Sequence, residues 1–398
     1  MKLIADKTVN TGRQPEIDMA KALQILIMIL LHAFQALSAD HNGVILNFLG
    51  NWVGLFSGGM FLAYMGIGMR YSRHQDPKSN VVRGIALLTI SQLVNLLRSG
   101  IPGLVAFHAA GDRQFIPYML DVIQSDILTC AGLCFLFMAL LKKLELRDGW
   151  ILAVGIGMNL LMIPIANLIK TPEAFWPNRI LNLFIHTENA LFPLGTYFVF
   201  VAFGYLVGGL YTRITDKNRL ANRILLIGLP ISVIYVVLRL NVPFPLMPAY
   251  ILAVEPSLGP DGAVECLNSL ILLAVMYKIS RLTGGKIPSF MNHLSKNINR
   301  YYCIHDVLIG TASVTLLASG VGLMRGEWLP LLSGLLVLAA CYFFIEINRK
   351  YIHFTLNGLK GSTRVIVYSA IWIASLALAF YALSLVRDPV DLISPILS

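Results

Sequence analysis

Eleven apolar runs divide this chain, at about residues 20–37, 48–69, 81–98, 121–140, 150–169, 190–211, 222–240, 263–280, 301–322, 328–347 and 365–386. Each is close to the roughly 20 residues a helix needs to cross a bilayer. Lipid offers no partner to an unpaired backbone N–H or C=O, so each run predicts a helix. The runs are continuous and far longer than the ~11 residues of a membrane β-strand, which excludes a β-barrel. Composition agrees. Charged residues are 13% of the chain, about half the usual share of a soluble domain. Hydrophobic residues are 57% and the mean hydropathy is +0.71. Disorder, collagen and coiled coil are excluded. The predicted fold is all-α: a polytopic helical bundle forming a single transmembrane domain over residues 1–398.

The net charge of +10 reads as topology. With the N-terminus cytoplasmic, 24 of the 31 Lys and Arg residues fall in inner segments. The outer side keeps Arg98, Arg113, Lys170, Arg179, Arg239, Arg325 and Arg387. An excess of Lys and Arg in cytoplasmic loops orients membrane proteins, so the N-terminus is expected inside and the C-terminus outside. Nucleic-acid binding then drops out as an explanation of the charge. No cleavable signal peptide is expected, because the polar start lacks an apolar core beside a cleavage site. Cys130, Cys134, Cys266, Cys303 and Cys341 all lie in apolar runs and read as packed free thiols. The inner loops are short. The outer segments 99–120, 170–189 and 241–262 are longer and rich in Gly, Pro and aromatics, suited to capping a cavity or forming short re-entrant helices.

Polar groups inside apolar runs carry the functional signal, because a charge in the membrane is expensive unless paired or facing a cavity. In the first run, Asp18 and Lys21 share a helix face at the cytoplasmic end. His32 is eleven residues beyond Lys21, roughly 16 Å along the axis, and is placed in the outer half. It is either a hydrogen-bonded helix contact or a chemical group facing a cavity. Asp40 and His41 follow at the outer mouth. The glycine-rich second run ends in Arg70, Arg73 and His74, a basic turn that anchors the interface or binds the phosphates of a cytosolic donor. Asp121, Gln124 and Asp126 open the fourth run, with Asp126 deep enough to need a partner: a histidine, Arg98 or Arg239. Tyr301, Tyr302, His305 and Asp306 are placed at the cytoplasmic end of the ninth run, where Tyr302 and His305 share a face.

The first run, with its IDMAKALQILIMILLHAF pattern, resembles the opening helix of integral membrane acyltransferases: the acyltransferase type 3 group and the related heparan-glucosaminide N-acetyltransferase-like proteins. Lys21 stands where their pattern usually has Arg. The second run is similar to their small-residue helix with a basic end. The segment from Asp121 to Asp126 resembles their V-L-Q-R stretch, and Asn299 to His305 resembles their late S-x-x-x-Y-x-x-H helix. This resemblance implies transfer of an acyl group, usually acetyl, from acyl-CoA to a carbohydrate or other cell-envelope acceptor, in a bacterial cytoplasmic membrane. Their essential histidine maps to His32 or to His41.

On that reading a histidine takes the acceptor proton or carries the acyl group itself. Arg98, Gln124 or Tyr302 stabilises the oxyanion, and Asp126 or Asp40 orients the imidazole. Arg70, Arg73, His74 and Tyr302 are candidates for binding the acyl-CoA donor, and His305 is the next catalytic histidine. No metal motif and no serine nucleophile elbow occur, so no metal is expected. Membrane lipids are the surrounding partners, and oligomerisation is left open. The competing classes are a secondary transporter or flippase for an envelope lipid or sugar, and a non-catalytic scaffold.

Overall fold

The computed structural model describes residues 3–39, 58–168, 174–185, 190–241, 259–353 and 356–387. These residues are helical almost throughout, and among them nine helices are long and apolar enough to cross a membrane. The protein is an all-α, polytopic membrane protein. Of the eleven runs, 48–69 is described only from Gly58, as a 14-residue helix, and the apolar part of 150–169 spans Asp148–Met162.

The helices are α1 (Pro15–Leu37), α2 (Gly58–Tyr71), α3 (Pro77–Asn95), α4 (Ile101–Ala110), α5 (Ile116–Leu120), α6 (Ile127–Lys143), α7 (Asp148–Leu168), α8 (Phe175–Phe184), α9 (Leu194–Tyr211), α10 (Lys217–Arg223), α11 (Leu229–Asn241), α12 (Pro260–Leu282), α13 (Ser289–Lys296), α14 (Ile298–Ala318), α15 (Trp328–Ile347) and α16 (Gly361–Leu385). They form two compact units. One comprises Met1–Gln24, Gly50–Gly84 and Thr129–Lys296; the other comprises Ile25–Leu49, Ile85–Leu128 and Asn297–Ser398.

In the first unit, α2 and α9 meet backbone to backbone. A Cβ placed on Gly204 would lie 1.8 Å from the Ala63 carbonyl oxygen, so only glycine permits this approach. Ile17, Met60, Tyr64, Ile67 and Met276 fill the core beside this pair. The start of α1 is tied down by Glu16, which is buried. It accepts a hydrogen bond from the Tyr211 hydroxyl at 2.5 Å and pairs with Lys217 Nζ at 2.7 Å. A carboxylate in the first turn also complements the helix dipole. At the start of α3, Asp76 accepts from the Ser79 backbone N–H at 2.8 Å and its hydroxyl at 2.6 Å. These bonds hold the Asp76 carboxyl below the usual carboxylate range.

In the second unit, α3 runs through a π-helical turn at Leu96–Gly100 into α4, giving one helical stretch from Pro77 to Ala110. The sequence ends this helix near Arg98 and gives 99–120 as an outer segment that caps a cavity or forms short re-entrant helices. The structure corrects the helix end: Pro102 sits at the start of α4, where its missing N–H does no harm, and the π turn absorbs the irregularity. Arg98 therefore lies within a continuous helix. Most of the remainder of 99–120 is also helical, through Arg113–Phe115 and α5. An Asp121–Ile123 turn and the extended residue Gln124 lead to α6.

Helix α14 packs closely on the π turn. A Cβ on Gly310 would lie 2.7 Å from the Arg98 carbonyl oxygen. This contact brings Asp306, one helical turn earlier, level with Arg98. The faces of α11, α15 and α16 present large apolar side chains outward, such as Ile234, Leu336 and Val365, as lipid contact requires. All five cysteines are free thiols, with Cys130, Cys134 and Cys341 buried.

Candidate active site

Two histidines 273 residues apart in sequence meet inside the second unit. His32 Nδ1 lies 3.0 Å from His305 Nε2. The rings are 29° from coplanar with centroids 5.1 Å apart. With nitrogens at hydrogen-bond distance, the rings meet at their edges rather than face to face. His305 is fully buried, and its Nδ1 lies 2.8 Å from the Tyr301 carbonyl oxygen. Tyr302 sets its ring edge against His305 at 5.4 Å. The His32 side chain keeps 30% of its surface uncovered, so it is the reachable member of the pair.

Asp306 completes the group. Its Oδ1 is 4.0 Å from His32 Nδ1, and its Oδ2 accepts from Arg98 Nη1 at 3.0 Å. Arg98 is also near Asp126, Asp121 and Tyr302. The three donor atoms of His32, His305 and Asp306 all fall within 4.8 Å of one another, a spacing that raises the question of a metal ion. Two imidazole nitrogens bound to one tetrahedral ion at 2.0–2.1 Å stand about 3.3 Å apart. The observed 3.0 Å instead matches an N–H···N hydrogen bond. The Arg98 guanidinium already neutralises Asp306, so the residues fit a shared proton better than a divalent ion.

The sequence places His32 and His305 towards opposite sides of the membrane, and the structure corrects this. Helix α14 begins at Ile298, so His305 is seven residues inside it, about 10 Å from its start. Counting depth from the nearest basic residue assumes that Lys21 and Arg300 mark equivalent levels. Contact between the rings excludes that assumption. A second correction concerns the carboxylates. The carboxylate against the imidazole pair is Asp306, whereas Asp126 Oδ1 accepts from the Ser91 hydroxyl at 2.6 Å. The Gln124 backbone carbonyl accepts from Asn95 Nδ2 at 3.0 Å. Its side-chain Nε2 is buried with no partner among the described residues. Asp40 and His41 lie outside the described residues.

The proposed donor residues divide. Tyr302 belongs to the histidine group. Arg70 and Arg73 are in the first unit, where Arg70 donates to the Tyr205 hydroxyl at 2.9 Å and pairs with Asp148 at 3.3 Å. Arg73 instead lines a cavity of about 380 Å³ together with Arg13, Asp18, Lys21, Gly68 and Tyr71. Asp18 pairs with Arg13, and its charge also acts on Lys21. Lys21 has no hydrogen bond or ion pair among the described residues. His74 is exposed and its backbone N–H donates to Ser72.

Asp306 was available to sequence reading but not singled out as a site residue. Its signal is the acid beside His305 in an apolar run, which requires a cationic partner.

Residues 13–244 match the catalytic domain family of heparan-alpha-glucosaminide N-acetyltransferase. The match covers more than half of the chain, which therefore belongs to this acyltransferase family. It includes His32, Arg98, Gln124 and Asp126, while Tyr302, His305 and Asp306 lie beyond it. No curated protein and no solved structure matches the chain.

Proposed function

We propose that this protein moves an acetyl group from acetyl-CoA to a hydroxyl or amino group of a cell-envelope carbohydrate, with His32 as general base. The observation that carries this reading is the geometry of His32: one ring nitrogen faces the buried His305, and the ring remains reachable. Family membership supplies the reaction class. As the acceptor oxygen or nitrogen attacks the thioester carbonyl, its proton passes to His32 Nε2. The tetrahedral adduct then collapses, the C–S bond breaks, and the departing thiolate takes that proton from His32. The unpartnered Gln124 Nε2 is the candidate donor to the oxyanion.

The donor is read as binding through its phosphates at the first-unit cavity, where Lys21 and Arg73 line the wall without an ion pair among the described residues and cations of that kind suit phosphate. Arg70, already engaged by Asp148 and Tyr205, is read as structural. On this reading the start of α1 faces the cytoplasm, in line with the distribution of basic residues.

The test is incubation of the purified protein with radiolabelled acetyl-CoA and a panel of envelope glycans and amines. Label on an acceptor is expected. A transporter would instead accumulate an unmodified substrate in proteoliposomes and label nothing.

A further inference from the structure

The contacts of the two imidazoles define where each proton resides. A carbonyl oxygen only accepts, so the 2.8 Å contact between Tyr301 O and His305 Nδ1 requires the hydrogen on that nitrogen. Neutral His305 then has only a lone pair on Nε2. That lone pair faces His32 Nδ1 at 3.0 Å. Two bare lone pairs at that distance would repel, and neutral His305 has no hydrogen left to place between them. The hydrogen therefore comes from His32 Nδ1. Neutral His32 is left with its own lone pair on Nε2, the nitrogen turned away from the pair.

We propose that Tyr301 O, His305 and His32 form a chain that fixes the tautomer of His32, making His305 a positioning residue for the base. The proposal rests on the acyl-transfer reading only for the origin of the incoming proton. When His32 Nε2 takes a proton, the Nδ1–H bond to His305 strengthens, because a charged donor makes the stronger hydrogen bond. The shared proton then spreads the charge over two rings. No oxidant, reductant or further reactant is needed, and the chain resets when the thiolate removes the proton from Nε2.

The charged and titratable groups facing the chain are Asp306 on α14, Arg98 on the π turn and Tyr302, with Asp126 further out. Asp306 is near enough to favour the imidazolium but donates nothing to either ring. Arg98 on its far oxygen prevents it from holding that imidazolium as a permanent ion pair. The arrangement resembles the carboxylate–imidazole pair of hydrolases in purpose, since there too the orienting partner decides which nitrogen is basic. Here a second imidazole has that task.

The direct test is nitrogen NMR of the full-length protein labelled with ¹⁵N-histidine in lipid, with His32 and His305 assigned by substitution. The expected spectrum at neutral pH shows hydrogen on Nδ1 of both rings and a coupling between His32 Nδ1 and His305 Nε2. Hydrogen on His32 Nε2, or a stoichiometric metal whose chelation changes both ring signals, would overturn the proposal.

A second test compares His305→Gln with His305→Leu. A glutamine side-chain oxygen can still accept from His32 Nδ1, whereas leucine cannot. The glutamine variant is expected to keep transfer within about tenfold of wild type. The leucine variant is expected to lose about 10²–10³-fold in kcat with little change in KM for either substrate. Equal loss in both variants, or a loss confined to KM, would also overturn it. The spectrum is read on wild-type protein, so it decides the point even where the leucine variant does not fold. If no acceptor is labelled by acetyl-CoA but the predicted tautomers are seen, the acyl-transfer reading fails and the imidazole chain stands.

Discussion

Arg98 and Asp306 hold each other within a helical stretch and a helix of membrane length. Their side chains keep only 18% and 10% of their surface uncovered. Removing one partner leaves a charge with neither water nor counter-ion, which costs about 3–5 kcal/mol. Arg98→Met is therefore expected to lower thermal stability in detergent sharply, as is Asp306→Leu. The double variant is expected to recover much of the loss, because apolar groups replace the whole pair. Strictly additive losses would show that the two charges do not depend on each other. At this scale the sequence revealed the individual groups. His32, Arg98, Asp126, His305 and Asp306 all stand out as polar residues in or beside apolar runs. Their partners were not legible, since helical periodicity shows which residues share a face of one helix and not which distant helix lies opposite. Asp126 or Asp40 was thus expected beside the imidazole, whereas the carboxylate next to the histidine pair is Asp306.

At the scale of elements, close approach is encoded by glycine. The glycines of the second run suit close helix approach, and the meeting of Gly204 with the Ala63 carbonyl shows where it occurs. Gly204→Val is expected to destabilise the protein by at least about 1–3 kcal/mol, since backbone cannot move aside as a flexible side chain would. Size-exclusion profiles and thermal unfolding of the variant check this, and an unchanged melting temperature would contradict the packing. The π turn at Leu96–Gly100 was not legible. Its residues, Leu96, Leu97, Arg98, Ser99 and Gly100, carry no pattern that separates a π turn from a helix end, and Pro102 gives the appearance of such an end. Only the fit of Gly310 against the turn shows why the helix continues there.

At the scale of the whole molecule, all-helical membrane character was evident from the sequence, because eleven long apolar runs admit few other structures. Nine helices among the described residues meet the length and hydropathy needed to cross a bilayer. The orientation rests on the distribution of basic residues, and it has a direct consequence. Single cysteines introduced at Asp76 and Asp216 are expected to react only with reagents that reach the cytoplasm, and cysteines at Arg179 and Glu255 only with reagents from outside. Reversed labelling at both pairs would invert the topology and move the proposed donor cavity to the wrong side for a cytosolic acyl-CoA.

The claim on which the account depends is that His32 takes the acceptor proton. The most direct measurement is the acetyl-transfer rate of His32→Ala beside wild type, both monodisperse in the same detergent and saturated with donor. A positioned general base contributes about 10²–10⁴-fold to such a rate, and a fall in kcat of that size is predicted, with the KM for acetyl-CoA little changed. A variant that transfers acetyl at close to the wild-type rate would contradict the account.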